Sequence, residues 1–241
     1  KVKILKYMTL KQKIINKKIT IGSWITLGNV GIAEILANAG FDWLVVDLEH
    51  TTISLEQAGE IIRTIELSGV PSLVRLTSND ENQIKRVMDA GAQGIIVPMV
   101  KNTKDATSAV AATRYPPQGN RGVGLARAQK YGASFKEYLD WQSDVNSGPV
   151  VVVQIEHIDA INNLKQIIEI RNHCSHNIEI DEKEIKMRLH GTKTYQRNIS
   201  LMKGLTLGAE LRQVSTLILN TFHRQCSQYI VNHLNKLEGW H

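Results

Sequence analysis

From residue 19 onward the chain switches repeatedly between two hydrophobic periods. Short runs rich in branched and aromatic residues, ITIGSWITL, FDWLVVDLEH, PSLVRL, GIIVPMV and PVVVVQIE, read as strands. Segments of helical spacing lie between them. GIAEILANAG places Ile32, Ile35, Leu36 and Ala39 on one face, with Gly40 as its stop. SLEQAGEIIRTIELSG carries the stripe Leu55, Ala58, Ile61, Ile62 and Ile65, and Ser54 can cap it. ENQIKRVMDAG is built on Ile84, Val87 and Met88, and TKDATSAVAATR follows the fourth strand. A long loop, YPPQGNRGVG, precedes another helical segment. IDAINNLKQIIEI closes the run with Ile158, Ile161, Leu164 and Ile168 at helical spacing.

Strands that are apolar on both faces, joined by amphipathic helices, predict an α/β fold with a parallel sheet covered by helices. An open doubly wound sheet and a closed eight-stranded barrel both satisfy that pattern. No G-x-G-x-x-G follows the first strand, so nothing supports a dinucleotide fold. Polar residues recur instead at the C-terminal ends of the strands. Glu49 and His50 end the second, Arg75 the third, and Gln154 and Glu156 the fifth. In a barrel those ends converge on one mouth, which explains why an apolar run stops on Asp47, Glu49 and His50: they stand at a rim, outside the packed core.

The 241 residues suit a single barrel, which takes about 250. No apolar run reaches the roughly 20 residues of a membrane-spanning helix, and KVKILKYMTLKQK lacks the apolar middle of a secretory signal. Two cysteines, Cys174 and Cys226, do not make a disulfide framework, so a cytoplasmic setting is expected. The net charge of +6 could suit an anionic ligand, but no basic block with interleaved aromatics appears, which argues against nucleic acid.

The strings GSWITLGN, GFDWLVVDLEH, VRL, DAGAQGIIVPMV, RYPPQGNRGVGLARAQKYG and VVVQIEH resemble the HpcH/HpaI family of class II pyruvate-dependent aldolases, over about residues 19–170. The resemblance implies a TIM (β/α)8 barrel that forms and cleaves carbon–carbon bonds at pyruvate, acting on 2-keto-3-deoxy sugar acids or 4-hydroxy-2-oxo acids. It also implies a divalent metal, Mg²⁺, Mn²⁺ or Co²⁺, and a hexameric assembly. By this likeness Glu156 is a metal ligand, and Arg75 is the arginine that faces the developing enolate and binds substrate. His50 is the catalytic base acting through a water, Asp47 orients its imidazole, and Gln154 lines the site. Asp89 matches an aspartate that reaches the site across a subunit boundary.

Each residue taken singly also has a plain structural reading. Asp47 could cap a turn, His50 could be a loop histidine, and Arg75 could be an ion-pair partner. Asp89 could be a solvated helix end, and Glu156 could pair with a lysine. Lys101 reads as a solvated loop residue and not a Schiff-base lysine.

After Ile170 the likeness stops. The family's G-P-x-D-L-S signature, whose aspartate is the second metal ligand, is absent, and Asp181 or Glu182 falls near its position. All five prolines lie at or before Pro149, whereas six of the eight histidines and both cysteines lie after Ile170. The chain therefore divides into a barrel portion, 1–170, in which the likeness reaches only the fifth strand–helix unit, and a C-terminal segment, 171–241. That segment reads as a diverged last third, as unrelated sequence, or as an added helix-rich module with apolar positions from Leu211 to Leu237. HCSH, His173 to His176, is a weak zinc pattern without a second close pair. Two functions follow: a metal-dependent pyruvate aldolase, or an incomplete, non-catalytic relative that binds oxo-acids weakly or only assembles.

Overall fold

A computed structural model describes residues 8–174, with side chains through residue 170. Five short strands, β1 (Gly22–Ile25), β2 (Trp43–Asp47), β3 (Ser72–Arg75), β4 (Gly94–Val97) and β5 (Val150–Val153), form one parallel sheet in the order β1-β2-β3-β4-β5. Strand order among the described residues follows chain order, without the reversal that marks a doubly wound sheet. Among the described residues the sheet stays open, with β1 and β5 at its edges.

The crossovers are α2 (Val30–Asn38), α3 (Leu55–Leu67) and α4 (Glu81–Asp89), then α5 (Thr103–Thr113) and α6 (Phe135–Ser143) on the long connection to β5, which also carries a 3-10 turn at Arg127–Gly132. Ser54 caps α3 as its sequence predicts: its hydroxyl accepts from the Gln57 N–H while the Gln57 side chain accepts from the Ser54 N–H, satisfying two orphan donors. Ala58, Ile61, Ile62 and Ile65 of α3 and Ile84, Val87 and Met88 of α4 are buried, as their spacing predicts. They pack on Leu44, Val46, Val74, Ile95 and Val97, one face of the sheet.

Two expected helix faces are corrected. In α2 the buried residues are Ala33 and Ala37, and Ile35 is exposed. Small residues let this helix lie close against its neighbours, so the contact face is not the most apolar one. The segment predicted as one helix over Ile158–Ile170 breaks at Asn163 into α7 (Ile158–Asn162) and α8 (Leu164–Cys174). The Asn163 amide donates to the carbonyls of Asp159 and Lys101, and the break shifts burial onto Ala160 and Ile167.

The second face of the sheet carries Val45, Leu73, Ile96 and Val150, packed with Leu10. Leu10 belongs to α1 (Leu10–Ile15), opened by a Thr9–Gln12 capping box. Lys13 pairs with Asp42 at 2.6 Å, just before β2, and Lys11 reaches the Pro149 carbonyl, just before β5. Helix α1 thus covers this face from the N-terminal ends of the strands and leaves their C-terminal ends to polar residues. No helix among the described residues is long and apolar enough to cross a membrane. Apart from the end of α8, the expectations for residues 171–241, including Asp181, Glu182 and the zinc pattern, lie outside the described residues.

Candidate functional site at the strand ends

Strand register decides which side chains can meet. Asp47, Arg75, Ile96 and Val152 are successive partners across β2, β3, β4 and β5, so they share one face at one level. One level below on the same face lie Val45, Leu73 and Val150, in the apolar layer that Leu10 seals. Asp47 and Arg75 are the points where that face turns polar.

Their contact is bidentate: Arg75 Nε donates to Asp47 Oδ1 at 2.8 Å and Nη2 to Oδ2 at 2.6 Å. Asp47 Oδ1 also accepts from the backbone N–H of Glu49 at 3.0 Å, with His50 N at 3.5 Å. Burial pushes the Asp47 carboxyl up. The Arg75 hydrogen bonds and then the Glu49 N–H outweigh it, holding the group below the ordinary carboxylate range. Arg75 is raised, first by its hydrogen bonds to Asp47. The Trp24 ring lies against the guanidinium, 4.7 Å from Cζ to the ring centre.

Glu49 sits at the junction of the other groups. Its Oε2 is 3.3 Å from Arg75 Nη1 and its Oε1 is 3.7 Å from His50 Nε2. Burial raises its carboxyl; Arg75 and His50 oppose the shift, and the charges of Glu156 and Asp47 add to it. Glu156 receives the Met99 N–H on Oε2 at 3.1 Å and the Gln154 amide on Oε1 at 3.0 Å. Gln154 continues the β4–β5 ladder by donating its N–H to the Val97 carbonyl at 2.9 Å. Two buried acceptors here, Glu49 Oε2 and Gln154 Oε1, have no hydrogen-bond donor among the described residues.

The structure therefore brings Asp47, His50, Arg75, Gln154 and Glu156 to the same end of the sheet and adds Glu49, Trp24 and Met99. One expected contact is replaced. Asp47 meets the main-chain N–H of His50 and spends its carboxylate on Arg75, and the carboxylate beside the exposed imidazole belongs to Glu49. Glu49 was visible in the sequence as a polar strand end; Trp24 and Met99 carried no signal of their own.

Asp89 stands elsewhere. It is the last residue of α4, at the end where β4 begins, so it lies toward the opposite edge of the sheet from the strand C-termini. There it pairs at 2.5 Å with buried Arg121, which also donates to Tyr138 Oη at 2.8 Å and lies against the Tyr115 ring.

Residues 20–185 match the family described as HpcH/HpaI aldolase/citrate lyase, a match that runs past Ile170. A 4-hydroxy-2-oxo-heptane-1,7-dioate aldolase from Salmonella dublin is 42% identical over 152 residues, covering 62% of this chain and 56% of that protein. The matched region thus spans about half, 56%, of the length of the curated relative. An HpcH/HpaI aldolase/citrate lyase family protein from Burkholderia cenocepacia J2315 superposes with a TM-score of 0.57 at 32% identity, covering 66% of this chain and 63% of that one. An HpcH/HpaI aldolase from Desulfitobacterium hafniense DCB-2 gives 0.59 at 28% identity, covering 67% and 62%.

Proposed function

The chain belongs to the HpcH/HpaI aldolase/citrate lyase family, and we propose that it is a metal-dependent carbon–carbon lyase cleaving a 4-hydroxy-2-oxo acid, or a 2-keto-3-deoxy sugar acid, to pyruvate and an aldehyde. On this reading the five-stranded sheet is the first part of a (β/α)8 barrel, and its polar end is the active-site mouth. The observation that carries the proposal is the clamp on Arg75 at the C-terminal end of β3: Asp47 on one edge, Glu49 at Nη1 and Trp24 on the face.

Retro-aldol cleavage develops negative charge on the former keto oxygen. A guanidinium whose orientation is fixed beforehand stabilises that charge without reorganising at the moment of reaction. Arg75 keeps Nη1 off the Asp47 contact, and its 3.3 Å approach to Glu49 Oε2 makes no aligned hydrogen bond, so this edge is the one offered to substrate. The proton of the 4-hydroxyl must leave as the bond breaks. His50, exposed at the rim with Glu49 beside it, is placed to take it.

The residues present fit a hard divalent cation. Acceptor oxygens gather around Glu156: among the described residues Gln154 Oε1 has no hydrogen-bond donor, and Glu49 Oε2 meets only the ion-pair approach of Arg75. Among the described residues no three His, Cys, Asp or Glu side chains form a metal cluster. Mg²⁺ nonetheless commonly takes one or two carboxylates, with water and substrate filling the rest. Glu156 would hold the ion, with Gln154 beside it. When bound, a cation there supplies Lewis-acid polarisation of the keto oxygen.

The test is pyruvate release from 4-hydroxy-2-oxo-heptane-1,7-dioate and a panel of 2-keto-3-deoxy acids, with and without Mn²⁺. Metal-stimulated release that disappears in Arg75→Ala is the expected result. No release from any member of the panel would leave the non-catalytic relative as the reading.

A further inference from the structure

Met99 follows Pro98 at the end of β4 and holds φ = 54°, the left-handed region that residues with a Cβ seldom occupy. The residue is 45% exposed, so packing does not explain the conformation. The turn does aim the Met99 N–H at Glu156 Oε2, 3.1 Å away and 57 positions along the chain. With the Gln154 amide on Oε1, each Glu156 oxygen has one fixed donor from the described residues and keeps a second lone pair. Backbone strain of this kind persists only where the surroundings impose it, and it gathers at functional sites.

We propose that the left-handed turn at Met99 is a positioning device: its main-chain N–H sets the Glu156 carboxylate for a cation, and the methionine side chain takes no part. The inference rests on the reading of Glu156 as a metal ligand, because a ligand must present its free lone pairs in a fixed direction. Loss of a group that orients a metal ligand typically costs about 10- to 100-fold in metal affinity.

The full chain is titrated with Mn²⁺ alone, following the electron paramagnetic resonance signal of the free ion. Met99→Gly suits φ > 0 and should bind within about 2-fold of the parent, whereas Met99→Val, β-branched, opposes that conformation and should bind about 10-fold more weakly. Parent-like affinity in both variants overturns the proposal. An equal loss in both does so too, since it assigns the effect to the side chain. Glu156→Ala tests the underlying reading separately: it should abolish binding, and undiminished binding removes Glu156 as the ligand. The contact itself is read without metal. Amide exchange at Met99 should accelerate about 10-fold or more in Glu156→Ala, and unchanged exchange sinks the positioning contact whatever the metal does. If Met99→Val does not fold, the glycine variant and the exchange comparison decide.

Discussion

Asp47 and Arg75 stand directly opposite each other in the β2–β3 register and join through two hydrogen bonds, at 2.8 and 2.6 Å, with the aspartate side chain 2% exposed. A carboxylate this deep is tolerable because a guanidinium fork and backbone N–H groups satisfy it. Removing one partner strands the other. Asp47→Asn should therefore lower unfolding free energy by about 3 kcal/mol, the range seen when a buried pair is broken, as read from the midpoint in urea. The Asp47 carboxyl lies below its ordinary value when folded. Its contribution is therefore present above the unfolded carboxylate value of about 3.9 and is lost as pH falls through the lower folded value. The gap between parent and variant should be widest near neutrality and close in strong acid.

Glu49 predicts the opposite sign. Burial first, then Glu156 and Asp47, raise its carboxyl despite Arg75 and His50. A carboxylate raised on folding binds protons more readily in the native state, so it costs stability at neutral pH, and the cost disappears below the unfolded value of about 4.3. In metal-free buffer, Glu49→Gln should unfold at higher urea than the parent at pH 7 and at the same urea below about pH 4. A variant that is less stable at pH 7 would show that the Arg75 contact outweighs burial.

The two carboxylates show what the sequence could and could not convey. Strand ends, the Ser54 cap and the stripes of α3 and α4 were legible because local spacing decides them. Which partner Asp47 takes is not local: Arg75 is 28 residues away, and only the β2–β3 register makes it a neighbour. Helix α1 went unread, although Thr9-x-x-Gln12 has the spacing of the capping box that opens it. The exposure of Ile35 was not readable, because apolarity cannot tell a helix which of two faces its neighbours will reach. Met99 in the left-handed region was equally hidden, as no residue type there demands it.

Two glycines should be intolerant for different reasons. A Cβ on Gly22 would fall 2.1 Å from the Trp43 ring, and one on Gly94 would fall 2.3 Å from the Val150 carbonyl. Ring and backbone differ in what can yield. Gly22→Ala should cost about 1–3 kcal/mol, the scale of overpacking, and Trp43→Leu should recover part of it in a double-mutant cycle. Gly94→Ala presses on the β4–β5 ladder itself, so no single side-chain change should rescue it. Thermal denaturation of the four variants checks both statements.

The last expectation turns on the distance between Arg75 and Asp89. Arg75 ends β3 at the polar edge of the sheet, whereas Asp89 ends α4 toward the other edge and is paired with Arg121. A single chain therefore does not bring both to one site. If Asp89 serves catalysis, it must do so in a neighbouring copy, as the family resemblance implies. Arg75→Ala should depress kcat about 10²-fold or more, because the enolate loses a fixed donor, and His50→Ala should act on the same scale through proton transfer. Asp89→Ala should be impaired too, yet its own Arg75 remains intact. When Arg75→Ala and Asp89→Ala chains are unfolded together and reassembled in equal amounts, some sites will take Arg75 from one chain and Asp89 from the other. Random assembly makes about a quarter of the sites whole, so activity should return to that fraction of the parent. Reassembled mixtures no more active than the separate variants would confine Asp89 to a structural role, holding Arg121 between its tyrosines.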